Sequence, residues 1–219
     1  KRVLIELNNI LRATVNGNQK DQRKPWWDQI NAWKEEHPLH YDQDPEGQIK
    51  PQCLIERLYQ LTTDRNPILA TDVGQHQMWA AQYFKLKNPQ SWLTSGGLGT
   101  MGFGLPAAMG AQAAFPDRLV LCVAGDGSIQ MNTQELATAV VEKLPVKVFI
   151  INNRFHGMVR QWQDLFYEGR YASSYLGTVP DFVKLAEAYG AAGIRIEKVG
   201  EMDDGIREAL SINGPVVID

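Results

Sequence analysis

Two polar clusters have the residue types and spacing for chemistry. Gly125-Asp126-Gly127-Ser128 follows directly on the apolar run Leu119 to Ala124, and Asn152-Asn153 closes the run Val146 to Ile151, apolar but for Lys147. If both runs are strands, Asp126 stands at a strand's C-terminal end, where open α/β sheets bind their ligands. Asp126 and Asn153 lie 27 residues apart, which is the span of one strand-helix-strand crossover. Neighbouring parallel strands would therefore bring them side by side. One carboxylate and one amide oxygen make a hard, incomplete coordination shell that suits Mg²⁺ completed by phosphate and water. The flanking glycines would bare backbone amides to an anion. Gly-Asp-Gly and Asn-Asn are also ordinary turn sequences, and it is their pairing across one crossover that favours a site.

A second glycine-rich stretch, Gly97-Leu98-Gly99-Thr100-Met101-Gly102, has the spacing of a dinucleotide-binding turn and runs into the helix-like Leu105 to Ala114. Its context is poor. Ser91 to Ser95 is a weak strand, and the acidic residue about 20 positions on is Asp117, beside Pro116 in a turn signal. The plainer reading is that Gly96, Gly97, Gly99, Gly102 and Gly104 permit a tight turn and close backbone approach, which still leaves room for a ligand. His37 and His40 are followed by no matching Cys or His pair that would complete a metal site.

The scaffold for these residues is legible as alternating elements. Pro51 to Thr62, Gln75 to Lys85, Leu105 to Ala114, Phe182 to Tyr189 and Glu201 to Ser211 read as helices. Asn132-Thr133-Gln134-Glu135 has capping-box form and would open a further helix to Leu144. Ile68 to Thr71, Leu119 to Ala124, Val146 to Ile151, Ile194 to Ile196 and Val216 to Ile218 read as strands. Strands that alternate with helices and are apolar on both faces predict an α/β fold, a parallel sheet with helices on both faces. Before Pro51 the chain is polar and broken. Lys1 to Leu11 suggests a helix, and Pro25 should open another that sets Trp26, Ile30 and Trp33 on one face, packed onto a core. Glu35 to Lys50 reads as a linker.

Composition narrows the function classes. The chain has 219 residues, 44% of them hydrophobic, enough for one substantial core with an appendage. Its formal charge of −3 offers no basic field for nucleic acid. No apolar run approaches the length of a membrane span, so neither a nucleic-acid nor a membrane partner is expected. Cys53 and Cys122 sit beside aliphatic residues, as buried thiols of a reducing, cytosol-like compartment would. The opening at Lys1 and the strand-like close at Pro215 to Ile218 lead us to expect a piece truncated at both ends.

Gly-Asp-Gly followed after 27 residues by Asn-Asn resembles the signature of thiamine-diphosphate-dependent enzymes. Val73-Gly74-Gln75-His76-Gln77-Met78-Trp79-Ala80, Thr94 to Met101 and Gly157-Met158-Val159-Arg160-Gln161-Trp162-Gln163 narrow the likeness. They resemble the catalytic large subunit of the acetohydroxyacid (acetolactate) synthases. The likeness runs from about residue 51 to 215. On it, residues 1–50 would be the tail of a preceding domain and a linker, and 51–219 the domain that binds thiamine diphosphate and Mg²⁺.

The resemblance implies carboligation of pyruvate with a second 2-keto acid, pyruvate or 2-ketobutyrate, with loss of CO2, in branched-chain amino-acid (valine and isoleucine) biosynthesis. Asp126 and Asn153 would hold Mg²⁺ by their side chains and Phe155 by its carbonyl. Gln75 and His76 would contact the diphosphate, together with backbone amides near Gly127, Ser128, Gly157 and Met158. Gly99, Gly125 and His156 would complete the cofactor contacts, with His156 standing where relatives often carry Gln or Leu. Met101 matches the bulky residue that bends the cofactor so that its aminopyrimidine meets its thiazolium carbon. Trp162 matches the residue shaping the acceptor pocket, or else packs under a helix end. The family also implies a glutamate that activates the aminopyrimidine, a role for which this chain offers no acidic residue. It implies FAD bound largely outside these residues, a homodimer or higher homo-oligomer, a regulatory small subunit, and a cytoplasmic enzyme in bacteria or an organellar one in eukaryotes. A thiamine-diphosphate enzyme of glyoxylate carboligase or pyruvate oxidase type would share the fold and metal motif, but Trp162 and the Gly157-Met158-Val159 run favour the synthase. From another class, a non-catalytic nucleotide-binding or assembly module would use the same sheet.

Overall fold

The computed structural model describes residues 1–14 and 19–219. The chain divides into two compact units, Lys1–Tyr41 and Asp42–Asp219. The first holds helices α1 (Arg2–Thr14) and α2 (Gln19–Glu36). Helix α2 does not open at Pro25, as the sequence suggested. It runs through that residue and forgoes one i→i−4 hydrogen bond, because the ring nitrogen carries no proton. The aromatic stripe also departs from expectation. Trp26 and Trp33 meet edge to face with centroids 5.6 Å apart and stay exposed, so they pack on each other instead of on a core.

In the second unit the chain runs through helix α3 (Pro51–Thr62), strand β1 (Ile68–Thr71), α4 (Gln75–Tyr83), β2 (Trp92–Leu93), α5 (Gly104–Ala114), β3 (Val120–Gly125) and the single turn α6 (Asp126–Ile129). It continues through α7 (Glu135–Val141), β4 (Lys147–Ile151), α8 (Gly157–Phe166), α9 (Phe182–Tyr189), β5 (Ala192–Ile194), α10 (Met202–Ser211) and β6 (Val216–Ile218). Ahead of α3, the Gln43 side chain holds a turn, donating to the carbonyls of Asp44 and Gln48 and accepting from the Lys50 N–H.

The six strands form one sheet in the order β2-β1-β3-β4-β6-β5, every pair parallel. Parallel strands covered on both faces must be apolar throughout, and β1 and β3 are buried at every position. The pleat sorts their side chains. Ile68, Ala70, Val120, Cys122, Val148 and Ile150 join a core with Leu105 of α5, Leu136 of α7 and Phe182 of α9. The alternate residues Leu69, Leu121, Val123 and Phe149 are equally buried, on the side where α4 crosses β1 and β3 and α3 packs against α4 and α10.

Several boundaries differ from the sequence reading by a few residues, and α7 ends at Val141 instead of reaching Leu144. Strand β5 is Ala192–Ile194 rather than Ile194 to Ile196, with Gly193 opposite Val217. A Cβ at Gly193 would come within 2.8 Å of the Val183 carbonyl on α9, so the residues that make this strand are too small to signal one. Helix α4 stops at Tyr83. The capping box before α7 does not form: the helix starts at Glu135, and the Asn132 side chain instead donates to the Gly102 carbonyl at 2.6 Å.

Candidate functional site

Strand β1 sends the chain to β2 on one side, whereas β3 lies on its other side. That reversal opens a crevice at the C-terminal ends of β1 and β3. A cleft of about 370 Å³ fills it, reached by residues after β1, β3 and β4 and by the loop entering α5. After β1 come Gly74, Gln75 and His76. After β3 come Gly125, Asp126, Gly127 and Ser128. After β4 come Asn153, Phe155, His156, Gly157 and Met158, and the loop entering α5 adds Gly99 and Met101. All the cofactor-binding residues expected from the sequence thus line one cleft. Val73, Trp79, Met131, Ile151 and Val159 line it as well, apolar wall positions to which the sequence reading gave no role.

The parallel register of β3 and β4 pairs Gly125 with Ile151, so the residues just past both strands meet at the cleft. Asp126 is 2% exposed. Its Oδ1 accepts the Gly127 N–H at 3.0 Å, while Oδ2 is buried without a hydrogen-bond partner. Burial pushes its carboxyl above the usual carboxylate range, and the N–H groups of Arg154 and Gly127 pull it back. The Asn153 Oδ1 accepts the Phe155 N–H at 3.0 Å and keeps a second lone pair. Among the described residues no cluster of three His, Cys, Asp or Glu side chains could hold a metal. The oxygen donors here are therefore one carboxylate supplemented by amide and carbonyl groups.

Glycines let side chains reach in. A Cβ at Gly125 would come 2.8 Å from the His76 Nδ1, one at Gly127 would come 2.7 Å from the His156 Cε1, and one at Gly157 would strike the Gln75 side chain. His76 sits almost wholly buried with its Nε2 unpartnered, and burial pulls its pKa down to about 4. It is a neutral imidazole at pH 7. Gln75 donates to the Gln161 side chain on α8 at 3.1 Å.

The segment carrying Asn153 to His156 has a support that the sequence reading missed. The Ser174 carbonyl accepts the His156 N–H, the Arg154 carbonyl accepts the Leu176 N–H, both at 2.8 Å, and the Phe155 and Tyr175 rings pack 5.1 Å apart. Asp72, at the end of β1, was missed too. It is fully buried and accepts N–H groups from Val73, Gly102 and Gly104 at 2.7, 2.9 and 3.3 Å. The available signal was a carboxylate directly after an apolar strand and before Val73-Gly74, much as Asp126 precedes Gly127.

Trp162 stands apart from the other expected residues. On α8 it is 56% exposed and lines an adjoining groove of about 500 Å³ with Gln163, Tyr167 and Arg170. Met158 and Val159 line both groove and cleft. The indole packs against the Phe166 ring at 5.2 Å, not beneath a helix end. Asp117 is exposed in the turn before β3, at the end of that strand opposite the cleft, where it could not meet a ribose bound there.

Comparison with known proteins agrees with this geometry. Residues 72–219 match the family model of the thiamine pyrophosphate enzymes' C-terminal TPP binding domain. The chain is 49% identical over 210 residues to the acetolactate synthase isozyme 3 large subunit of Escherichia coli, covering 96% of this chain and 36% of that protein. It is 47% identical over 217 residues to the acetolactate synthase large subunit of Haemophilus influenzae, covering 99% and 37%. It is 49% identical over 201 residues to the mitochondrial acetolactate synthase catalytic subunit of Saccharomyces cerevisiae, covering 90% and 29%. The chain thus spans about a third of the length of these curated relatives. The matched segment opens at Asp72 and takes in β3, β4 and the cleft at their C-terminal ends, and by that match the chain belongs to the thiamine pyrophosphate enzyme family, as its C-terminal TPP-binding domain.

Proposed function

We propose that this chain carries the diphosphate- and Mg²⁺-binding half of an acetolactate synthase active site, which joins pyruvate to a second 2-keto acid, pyruvate or 2-ketobutyrate, with loss of CO2. The observation that carries the reading is the buried Asp126 Oδ2 without a partner, at the end of the strand next to the one that Asn153 follows. A carboxylate oxygen taken from water needs a cation or donor, and a hard oxygen set suits Mg²⁺. The site also fits a diphosphate. Gly125, Gly127 and Gly157 have close neighbours where a side chain would have to go, and glycine backbone there can face an anion closely.

Asp126 and Asn153 would hold Mg²⁺ through their side chains and Phe155 through its carbonyl. Gln75 and the neutral His76 would bind the diphosphate with the amides of Gly127, Ser128, Gly157 and Met158, and Gly99 and His156 would line it. Met101 would orient the cofactor rings from the loop before α5. Bound thiamine diphosphate supplies the electron sink for decarboxylating a 2-keto acid. Trp162 would shape the acceptor side, through the groove that Met158 and Val159 share with the cleft. FAD, a homodimer or higher homo-oligomer, and a regulatory small subunit complete the reading. The exposed Val159, Trp162, Leu165, Phe166 and Tyr167 support assembly with a second copy, since a monomer rarely leaves so much apolar surface in water. Relatives named from two bacteria and from mitochondria support a cytoplasmic or organellar setting. No helix among the described residues is long and apolar enough to cross a membrane.

Calorimetric titration of the chain with thiamine diphosphate and Mg²⁺ tests the reading. Saturable binding that needs both components is expected. Asp126→Ala should abolish it with an unchanged circular dichroism spectrum, because that side chain is the only formal charge proposed for the metal. A variant that binds as tightly as wild type overturns the metal assignment, and a wild type that binds Mg-ATP in preference overturns the function.

A further inference from the structure

Asp72 takes part in none of the roles assigned above, yet it is a carboxylate buried completely beneath the cleft. Its Oδ1 accepts the N–H groups of Val73 and Gly102, and its Oδ2 accepts that of Gly104. Burial pushes its carboxyl up, while those three N–H groups and the Ser128 hydroxyl pull it down. The grip reaches across the chain from the end of β1 to the loop entering α5. It is met from the other side by Asn132, which donates to the Gly102 carbonyl at 2.6 Å. The peptide groups on both sides of Gly102 are thereby held. Met101 is the residue immediately before, and it lines the cleft.

The glycines at the clamp have no freedom to be anything else. Gly102 has a φ of +89°, and a Cβ there would come within 2.8 Å of Met131 and Asn132. A Cβ at Gly104 would come 2.7 Å from the Asp72 backbone nitrogen. Helix α5 has no side-chain cap of its own at Phe103, and the distant Asp72 carboxylate supplies the acceptor at its first turn.

We infer that Asp72 is a positioning residue which, with Asn132, clamps the Gly99–Gly104 loop and fixes Met101 against the cofactor's ring system. This rests on the reading that the cleft takes thiamine diphosphate. The clamp acts on the part of the site that meets the rings, not the part that meets the diphosphate. In Asp72→Asn an acceptor oxygen becomes an NH2 donor facing backbone N–H groups, so at least one charge-assisted bond is lost.

The test compares two probes on the full chain by tryptophan fluorescence: Mg²⁺ with thiamine diphosphate, and Mg²⁺ with inorganic pyrophosphate, which lacks the rings. Asp72→Asn should weaken thiamine diphosphate about tenfold and leave pyrophosphate affinity within about twofold. Equal weakening of both probes would reduce Asp72 to a structural role, and no change in either would remove the clamp. Nuclear magnetic resonance provides a readout independent of any cofactor. Amide exchange at Gly102 and Gly104 should quicken in the variant, and the Met101 methyl signal should broaden. If the wild type binds neither probe, the cofactor reading fails while exchange still decides the clamp, and unchanged exchange overturns it. Should Asp72→Asn not fold, Asn132→Ala attacks the clamp from its half-buried side and is judged by the same probe ratio and the same amides.

Discussion

The most informative single residues are those whose surroundings contradict their chemistry. His76 is a titratable ring sealed in the site, with its pKa pulled down from 6.5 to about 4 by burial. The folded imidazole stays neutral over a range in which the unfolded chain binds a proton. Stability should therefore be intact above about pH 6.5 and fall as pH drops towards 4, by of the order of 3 kcal/mol at the foot of that window. Denaturant titrations of wild type and His76→Gln at pH 7 and pH 4.5 check this. The variant, which cannot titrate there, should lose less stability between the two, and an equal loss would show that His76 is not the group responsible. Trp162 is the opposite case, a large apolar ring left open to solvent beside the cleft. On the proposed function, pyruvate and 2-ketobutyrate would compete as acceptors that differ by one methylene, worth roughly ten- to two-hundredfold of discrimination in a packed pocket. In the complete synthase, Trp162→Leu should collapse the ratio of acetohydroxybutyrate to acetolactate formed from mixed substrates, while cofactor affinity stays near wild type. An unchanged ratio would restrict Trp162 to its contact with Phe166.

At the level of elements, glycines in one helix separate packing from propensity. Gly104 and Gly110 both lie in α5. A Cβ at Gly110 meets nothing within 4 Å, whereas one at Gly104 runs into the Asp72 backbone at 2.7 Å. Alanine gains up to about 1 kcal/mol over glycine inside a helix, so Gly110→Ala should raise stability by nearly that much. At Gly104 the neighbour is main chain and cannot swing aside. The cost of overpacking, about 1 to 3 kcal/mol, should outweigh the same gain and lower the melting temperature. Two variants shifting in the same direction would refute this account of the close approach. The contrast also shows what was legible. Strands Ile68 to Thr71 and Val216 to Ile218 and the helices at Pro51 and Phe182 match the sequence reading, because burial on both faces and amphipathic periodicity write themselves into composition. The strand at Ala192 and the use of Asn132 did not show. Small residues carry little strand signal, and the bond that draws Asn132 away from the helix comes from Gly102, distant in sequence. Likewise Asp126 and Asn153 were visible through their spacing, while the role of Asp72 was not, since its Gly102 and Gly104 partners sit some 30 residues on in a loop with no periodicity.

For the molecule as a whole, the sheet explains how much of a catalyst this chain can be. A parallel sheet with a reversal in strand order provides one crevice, and here it gathers glycine backbone, one buried carboxylate and one amide into a cleft that reaches no further than its own loops. That arrangement suits the charged end of a cofactor. Activating an aminopyrimidine needs a second carboxylate on the rings, and among the described residues Asp126 is the only carboxylate lining the cleft. Asp126 cannot hold a divalent cation and also serve that nitrogen. The groove beside Trp162 is open and largely apolar, so water would not be kept from a reacting 2-keto acid there. The 219-residue chain, given thiamine diphosphate, Mg²⁺, FAD and pyruvate, should therefore bind the cofactor and Mg²⁺ yet form no acetolactate above a heat-treated control. Binding and catalysis are read separately, by calorimetry and by colorimetric assay of the product. Binding without turnover is expected of half a site. Acetolactate produced by the chain alone would mean that the cleft, or a second copy of it, contains an activating group beyond Asp126, and the division of labour argued from the sheet would be wrong.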